Sequence, residues 1–182
     1  MVQAPRTVSA GGFTTRPELA GSFGMVASTH WIASAVGMAV LEAGGNAFDA
    51  AAATGFTLQV VEPHLNGPGG DMPLIFARAE DDHATVLSGQ GPAPAGATAE
   101  HFTAQGLKLI PDNGLLAAAI PGTVDAWLAL LRDHGTLPLR EILKYAIWYA
   151  REGHPLLDTA SGTIADVAEL FRGHWATSAA LW

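Results

Sequence analysis

The chain has 182 residues, of which 49% are hydrophobic and 14% charged. This balance provides enough apolar surface for the core of one domain and excludes a wholly disordered chain. The net charge is −8, and the nine basic residues are scattered singly along the sequence. Nucleic acid is therefore not expected as a partner, because proteins that bind it concentrate Lys and Arg on one face.

The sequence contains no cysteine, which excludes disulfides and thiolate metal sites. Its first residues lack the apolar stretch of a secretory signal, and the most apolar run, Ala50–Val61, is too short to cross a bilayer. We therefore expect a soluble protein with no membrane partner. Its expected location is cytoplasmic, or periplasmic if a signal peptide has been removed.

The first elements predicted along the chain are an irregular segment, a strand and two helices. Residues 1–22 show no periodic pattern, so we expect one domain over residues 23–182. Gly24–Ser28 has the pattern of a short strand. The helix that follows can be capped by Ser28 or Thr29 and ends at the glycine pair 44–45. Its periodic apolar residues are Ile32, Val36, Val40 and Ala43.

A second helix begins at Asn46, where Asp49 completes an imperfect capping box. This helix is rich in Ala and apolar on nearly every side, so we expect it to be buried. It ends before Pro63.

The rest of the chain predicts a strand pair followed by helices. The strands are expected over Leu74–Arg78 and Ala84–Ser88, and a short helix near Thr98 comes next. Later helices are predicted over Val124–Leu131 up to Gly135, over Pro138–Glu152 and over Thr163–Arg172. This order is typical of an α+β fold in which helices pack on an antiparallel sheet. The strands in this chain are too few for a complete sheet, so we expect the remaining strands on another chain.

Motifs for metal, nucleotide or serine-nucleophile chemistry are weak in this sequence. None of the seven His is paired at a ligand spacing, and Asp81-Asp82-His83 is interpreted as a solvated turn. Gly67-Pro68-Gly69-Gly70 precedes a strand rather than the helix that a phosphate loop requires. Ser28-Thr29-His30 is interpreted as a helix start rather than a Ser–His pair. We therefore expect no metal and no cofactor.

Several motifs nevertheless occur together in one order. They are Gly24–Ser28, Gly44–Ala50, Val61–His64, Gly67–Gly70, Ala93–Ala95, Ile120–Val124 and Ala146–Gly153. This series resembles the γ-glutamyltransferase family of Ntn hydrolases, from about residue 24 to residue 157 and more weakly to the end. The resemblance implies an αββα sandwich, of which this chain supplies the N-terminal portion as part of the large subunit.

The resemblance also implies a mechanism. In this family a precursor cuts itself and exposes a Thr at the start of the small subunit, and that Thr attacks a γ-glutamyl or related amide to give an acyl-enzyme. The expected partners are that nucleophile-bearing small subunit and a small-molecule amide substrate. No catalytic residue is expected in this chain. Thr14-Thr15 precedes the first strand of the family and is not expected to be the nucleophile.

The same resemblance indicates substrate-binding residues. Many members place an Arg four residues before the Pro that matches Pro94, where it pairs with the α-carboxylate of the substrate; here that position holds Gln90. Asn66 and Asp71 are further candidates for binding substrate. Each of the three also has a structural interpretation, in which Gln90 only fills a turn and Asn66 and Asp71 bond turn amides. Structural roles are favoured for Gly67, Gly69, Gly70, Asp49 and Glu62.

A rival interpretation is a non-catalytic scaffold or remnant chain that only binds partner subunits. The two interpretations differ in the rest of the reading frame, where an enzyme requires a Thr that opens a downstream strand.

Overall fold

A computed structural model describes residues 19–112 and 114–182. Residues 1–18, which include most of the predicted irregular segment and the Thr14-Thr15 pair, lie outside the described residues. The elements are, in chain order, α1 (Trp31–Glu42), α2 (Ala47–Val61), β1 (Pro73–Phe76), β2 (Thr85–Ser88), α3 (Ala99–Ala104), a 3₁₀ turn (Leu115–Ala117), α4 (Thr123–His134), α5 (Leu139–Glu152), α6 (Asp158–Asp166), α7 (Ala168–His174) and α8 (Ala176–Leu181).

Helix α2 lies at the centre of the fold and packs against α1, α4 and α5. Its small residues let the neighbouring helices come close. Gly55 faces Trp127 of α4, where an added Cβ would lie 2.3 Å from the indole ring. Ile32, Leu130 and Ile142 bring large side chains from the three neighbours into the same core. Each such buried side chain stabilises the fold by about 1.5–3 kcal/mol. The predicted burial of the second helix is therefore confirmed.

The start of α2 is held by a complete capping box. The Asn46 side chain accepts from the backbone of α2, and the Asp49 carboxylate accepts from the Asn46 N–H at 2.9 Å. Asp49 is fully buried and also accepts from the Thr136 N–H and hydroxyl, at 3.1 and 2.6 Å. The Asn46 side-chain amide donates to the His134 carbonyl at 2.7 Å. These bonds join the start of α2 to the α4–α5 turn.

Strands β1 and β2 form an antiparallel pair in which Leu74 lies opposite Leu87 and Ile75 opposite Val86. Leu74 and Leu87 pack against the core, whereas Ile75 and Val86 are 72% and 69% exposed. The strands are shorter at the turn end than the sequence predicted. The reason is local, because Arg78 turns to bind Asp81 instead of continuing the ladder.

Two further predictions of secondary structure differ from the structure. Gly24–Ser28 is not a strand, because a strand requires backbone hydrogen bonds to a neighbour and no described residue supplies them. The single helix predicted over Thr163–Arg172 is instead the series α6–α8. It is interrupted at Val167 and at Trp175, whose ψ angles of 1° and 72° depart from the α-helical value.

Candidate functional site

Three glycine-containing segments, residues 70–72, 89–92 and 120–123, meet at the start of α4. Met72 and Gly89 exchange two backbone hydrogen bonds of 3.2 and 2.9 Å, which extend the β1–β2 pair by one residue on each strand. The other bonds run from Gly122 N and Thr123 N to Gly70 O, each 3.3 Å, and from Ile120 N to Pro92 O at 3.0 Å. The junction is therefore held by main chain rather than by side chains.

The packing at this junction leaves no room for a side chain on three of its glycines. A Cβ added to Gly89 would lie 2.5 Å from the Met72 carbonyl oxygen. A Cβ added to Gly91 would lie 1.3 Å from the Ile120 carbonyl oxygen, and one added to Gly122 would lie 2.3 Å from the Gly89 carbonyl oxygen. These three carbonyl oxygens belong to the backbone, which cannot rotate aside as a side chain can. Glycine is thus required here for close approach between segments that lie far apart in sequence.

A cavity of about 470 Å³ opens beside the junction. It is lined by Gly69, Gly70, Asp71, Gln90, Gly91, Ala119 and Ile120. The Gln90 side-chain amide donates to the Asp71 carboxylate at 3.3 Å, and both side chains are exposed. The structure therefore brings together two of the three residues that the sequence indicated for substrate binding.

Asn66, the third candidate, does not line this cavity. Its backbone N–H donates to the Glu62 carbonyl at 3.1 Å, which continues the chain out of α2. Gly70 has a structural role, since its N–H donates to the Gly67 carbonyl and its own carbonyl accepts from the start of α4. A Cβ on Gly67 or Gly69 would meet no described atom within 4 Å, so packing among the described residues does not require glycine at either position.

The cavity contains a carboxylate and, among the described residues, no cationic side chain in its lining. Gln90 is the only described partner of Asp71, which makes no ion pair there. Arg78 is the only Lys or Arg between Asp71 and Gln90 in the sequence. It is held by Asp81 at 2.7 Å and by Glu80 at 3.3 Å. Within the described structure, the Asp71 carboxylate is therefore hydrogen-bonded by a neutral amide and has no cation paired with it.

Two buried acidic residues outside the cavity occupy helix ends. Asp49 belongs to the capping box of α2 and bonds the α4–α5 turn. Glu62 is the C-cap residue of α2, 4% exposed, and accepts from the Thr29 hydroxyl at 2.5 Å. Both carboxylates are occupied by structural hydrogen bonds, as the sequence analysis expected.

His30 is a buried residue whose role the sequence analysis did not identify. Neither Ser28 nor Thr29 caps α1; the His30 side chain does, accepting the Ile32 N–H at its Nδ1 atom at 3.1 Å. Its Nε2 atom is buried with no hydrogen-bond partner among the described residues. Burial lowers the pKa of His30, while the nearby Glu62 charge raises it and His154 lowers it further. Imidazole is a rare N-cap group, so a search for Ser, Thr, Asp and Asn overlooks it.

The acidic turn, residues 80–83, lies at the surface, and its charged side chains pair with one another or with Arg78. The His83 Nδ1 atom lies 2.8 Å from an Asp82 carboxylate oxygen, and Asp81 is bound by Arg78. The described part of the chain contains no group of three His, Cys, Asp or Glu side chains that could hold a metal ion. No helix in residues 19–112 and 114–182 has the length and apolar character to span a membrane.

Residues 33–182 match the family model of gamma-glutamyltranspeptidase. The glutathione hydrolase-like YwrD proenzyme of Bacillus subtilis is 39% identical over 137 residues, which is 75% of this chain and 26% of that protein. The structure of LmbA2991 matches 92% of this chain with a TM-score of 0.88 and 58% identity, covering 29% of that chain. The gamma-glutamyltranspeptidase of Helicobacter pylori matches 89% of this chain and 47% of its own, with a TM-score of 0.81 and 34% identity. The present chain therefore spans about a quarter of the length of the curated relative.

Proposed function

We propose that this chain, which belongs to the γ-glutamyltranspeptidase family, forms part of the large subunit of an Ntn-type amide hydrolase whose nucleophile lies outside these 182 residues. Its matched region corresponds to the N-terminal part of the family's proteins. The cavity beside Asp71 and Gln90 carries this proposal. Its lining combines the glycine backbone at residues 69, 70 and 91 with two exposed polar side chains that a ligand can reach.

The proposed reaction is acyl transfer to a threonine and then to water or an amine. The Thr hydroxyl attacks the amide carbonyl, and its own α-amino group takes the hydroxyl proton. That proton passes to the amide nitrogen, and the amine part of the substrate leaves as the C–N bond breaks. The acyl-enzyme ester is then hydrolysed by water or transferred to an acceptor amine. The role proposed for this chain is to hold the acyl group at the cavity, with Gln90 and Asp71 as its polar contacts and Asn66 as an outlying candidate.

The proposed partner is the nucleophile-bearing small subunit of the same precursor. Two features support it. The outer face of the β1–β2 pair carries the exposed side chains Ile75 and Val86, and apolar pairs on a sheet face are normally covered. Other large apolar side chains, such as Trp148 on α5 and Leu115, are 55% and 95% exposed. A second subunit that supplies further strands would bury such surfaces.

We expect residues 1–182 alone to show no amide hydrolysis. The purified chain should not release nitroaniline from γ-glutamyl p-nitroanilide, because it has no candidate nucleophile as its first residue. Protein expressed from the complete reading frame should hydrolyse an acyl anilide after self-cleavage. Turnover by residues 1–182 without a partner would contradict the proposal. A complete protein that cleaves itself but turns over no amide would instead favour the scaffold interpretation.

A further inference from the structure

The Asp71–Gln90 pair presents hydrogen-bond acceptors to its cavity. The side-chain amide nitrogen of Gln90 donates one of its two N–H groups to the Asp71 carboxylate at 3.3 Å, which leaves one N–H as a donor. The Gln90 side-chain oxygen and the second carboxylate oxygen of Asp71 are therefore left as acceptors. Among the side chains of the lining, a ligand carboxylate would find one N–H donor, whereas an ammonium group would find two oxygen acceptors.

The charge around the cavity favours the same ligand. Asp71 carries the only charged side chain of the described lining, and no described Lys or Arg pairs with it. Arg78 is engaged by the acidic turn, and no further Lys or Arg occurs before Lys108. The remaining lining residues are Gly, Ala and Ile, which bring no side-chain charge. An ammonium group would neutralise the site, and a carboxylate would double its negative charge.

We propose that this cavity selects substrates whose acyl group carries a protonated amine, and that Asp71 is the specificity-determining residue that binds this amine. The inference rests on the proposed amide-hydrolase function and names the substrate class for it. Gln90 positions the Asp71 carboxylate and adds a second acceptor for the ammonium group. The substrate class is thus an aminoacyl amide without a carboxylate at the position that enters this cavity.

The test compares two acyl anilides of equal chain length in the assembled, self-cleaved protein. One is γ-aminobutyryl p-nitroanilide, which carries an ammonium group, and the other is glutaryl p-nitroanilide, which carries a carboxylate. We expect kcat/KM to favour the ammonium substrate by about tenfold or more, which corresponds to about 1.4 kcal/mol. Asp71→Asn keeps the size of the side chain and its bond to Gln90 but should abolish this preference. Asp82→Asn removes a charge from the exposed turn and should leave the preference unchanged.

Equal turnover of the two anilides, or a preference that Asp71→Asn does not alter, would overturn the inference. A protein that hydrolyses neither anilide would refute the proposed function instead. In that case calorimetric binding of γ-aminobutyramide and glutaramate to the same protein decides the inference separately. Tighter binding of γ-aminobutyramide that is lost in Asp71→Asn supports it, and equal binding overturns it.

Discussion

Replacing Gly91 with alanine is expected to lower the free energy of unfolding by about 3 kcal/mol or more, at the upper end of overpacking effects. The added Cβ would lie 1.3 Å from the Ile120 carbonyl oxygen. Backbone on both sides must shift to relieve this overlap, and the hydrogen bond between Ile120 and Pro92 lies in the same stretch. The change should therefore also displace the wall of the cavity beside Gln90.

Urea denaturation of the assembled protein measures this effect, with Gly96→Ala as the matched control. Gly96 lies in an exposed loop with no described atom within 4 Å of an added Cβ and no positive φ. Alanine there should change the unfolding free energy by about 0.5 kcal/mol or less, because it removes freedom only from the unfolded chain. Unfolding of Gly91→Ala at the same urea concentration as Gly96→Ala would show that Gly91 and Ile120 do not approach as closely as described.

The assembled protein is expected to hydrolyse glutathione poorly, and replacing Gln90 with Arg together with Asp71→Asn should improve this activity. The family resemblance implies that an Arg at this position pairs with the α-carboxylate, and two charge-assisted bonds are stronger than one neutral bond. Gln90→Arg alone should gain less, because the new guanidinium would be bound by Asp71, which lies within hydrogen-bond distance of residue 90. We expect the double variant to raise kcat/KM for glutathione by about tenfold to a hundredfold, the worth of a charge-assisted hydrogen bond.

The control for this comparison is Gln105→Arg, which adds the same side chain at an exposed position after α3. It should leave glutathione turnover at the wild-type rate. The prediction would be contradicted if the wild type hydrolyses glutathione efficiently and neither Gln90→Arg nor the double variant with Asp71→Asn improves this activity. So would an experimental structure of the assembled protein in which Gln90 points away from the bound substrate.

The sequence predicted the elements whose signals are local. The helical spacing of Ile32, Val36 and Val40 and the glycine pair after them identified α1, and Asn46 with Asp49 identified the start of α2. The α+β class and the Ntn-hydrolase fold are confirmed by the match to the Helicobacter pylori structure. These features depend on neighbours within a few residues or on several motifs in a fixed order.

The features that the sequence did not predict depend on distant contacts. Gly91 is 29 residues from Ile120 in sequence, and nothing in either segment indicates that their backbones meet. Gly24–Ser28 has the composition of a strand, but a strand also requires a partner. The sequence indicated Gln90 and Asp71 as separate candidates for binding substrate, 19 residues apart, with no sign that the two side chains meet. Their hydrogen bond depends on the pairing of β1 with β2, which brings residues 71 and 90 to the same end of the hairpin.

The buried cap of α1 couples folding to proton release. Because Nδ1 of His30 accepts the Ile32 N–H, protonation would set two donors against each other, and burial already holds its pKa below the ordinary value of 6.5. The unfolded chain therefore binds a proton near pH 6.5 that the folded chain takes up only at lower pH. This contribution to stability is complete above pH 6.5 and is lost as the pH falls below it, down to the folded pKa. The charge of Glu62 weakens the effect and that of His154 adds to it.

His30→Asn keeps a capping group without a proton to gain, so its denaturation midpoint should fall less between pH 7.5 and pH 5 than that of the wild type or of the exposed-site control His174→Asn.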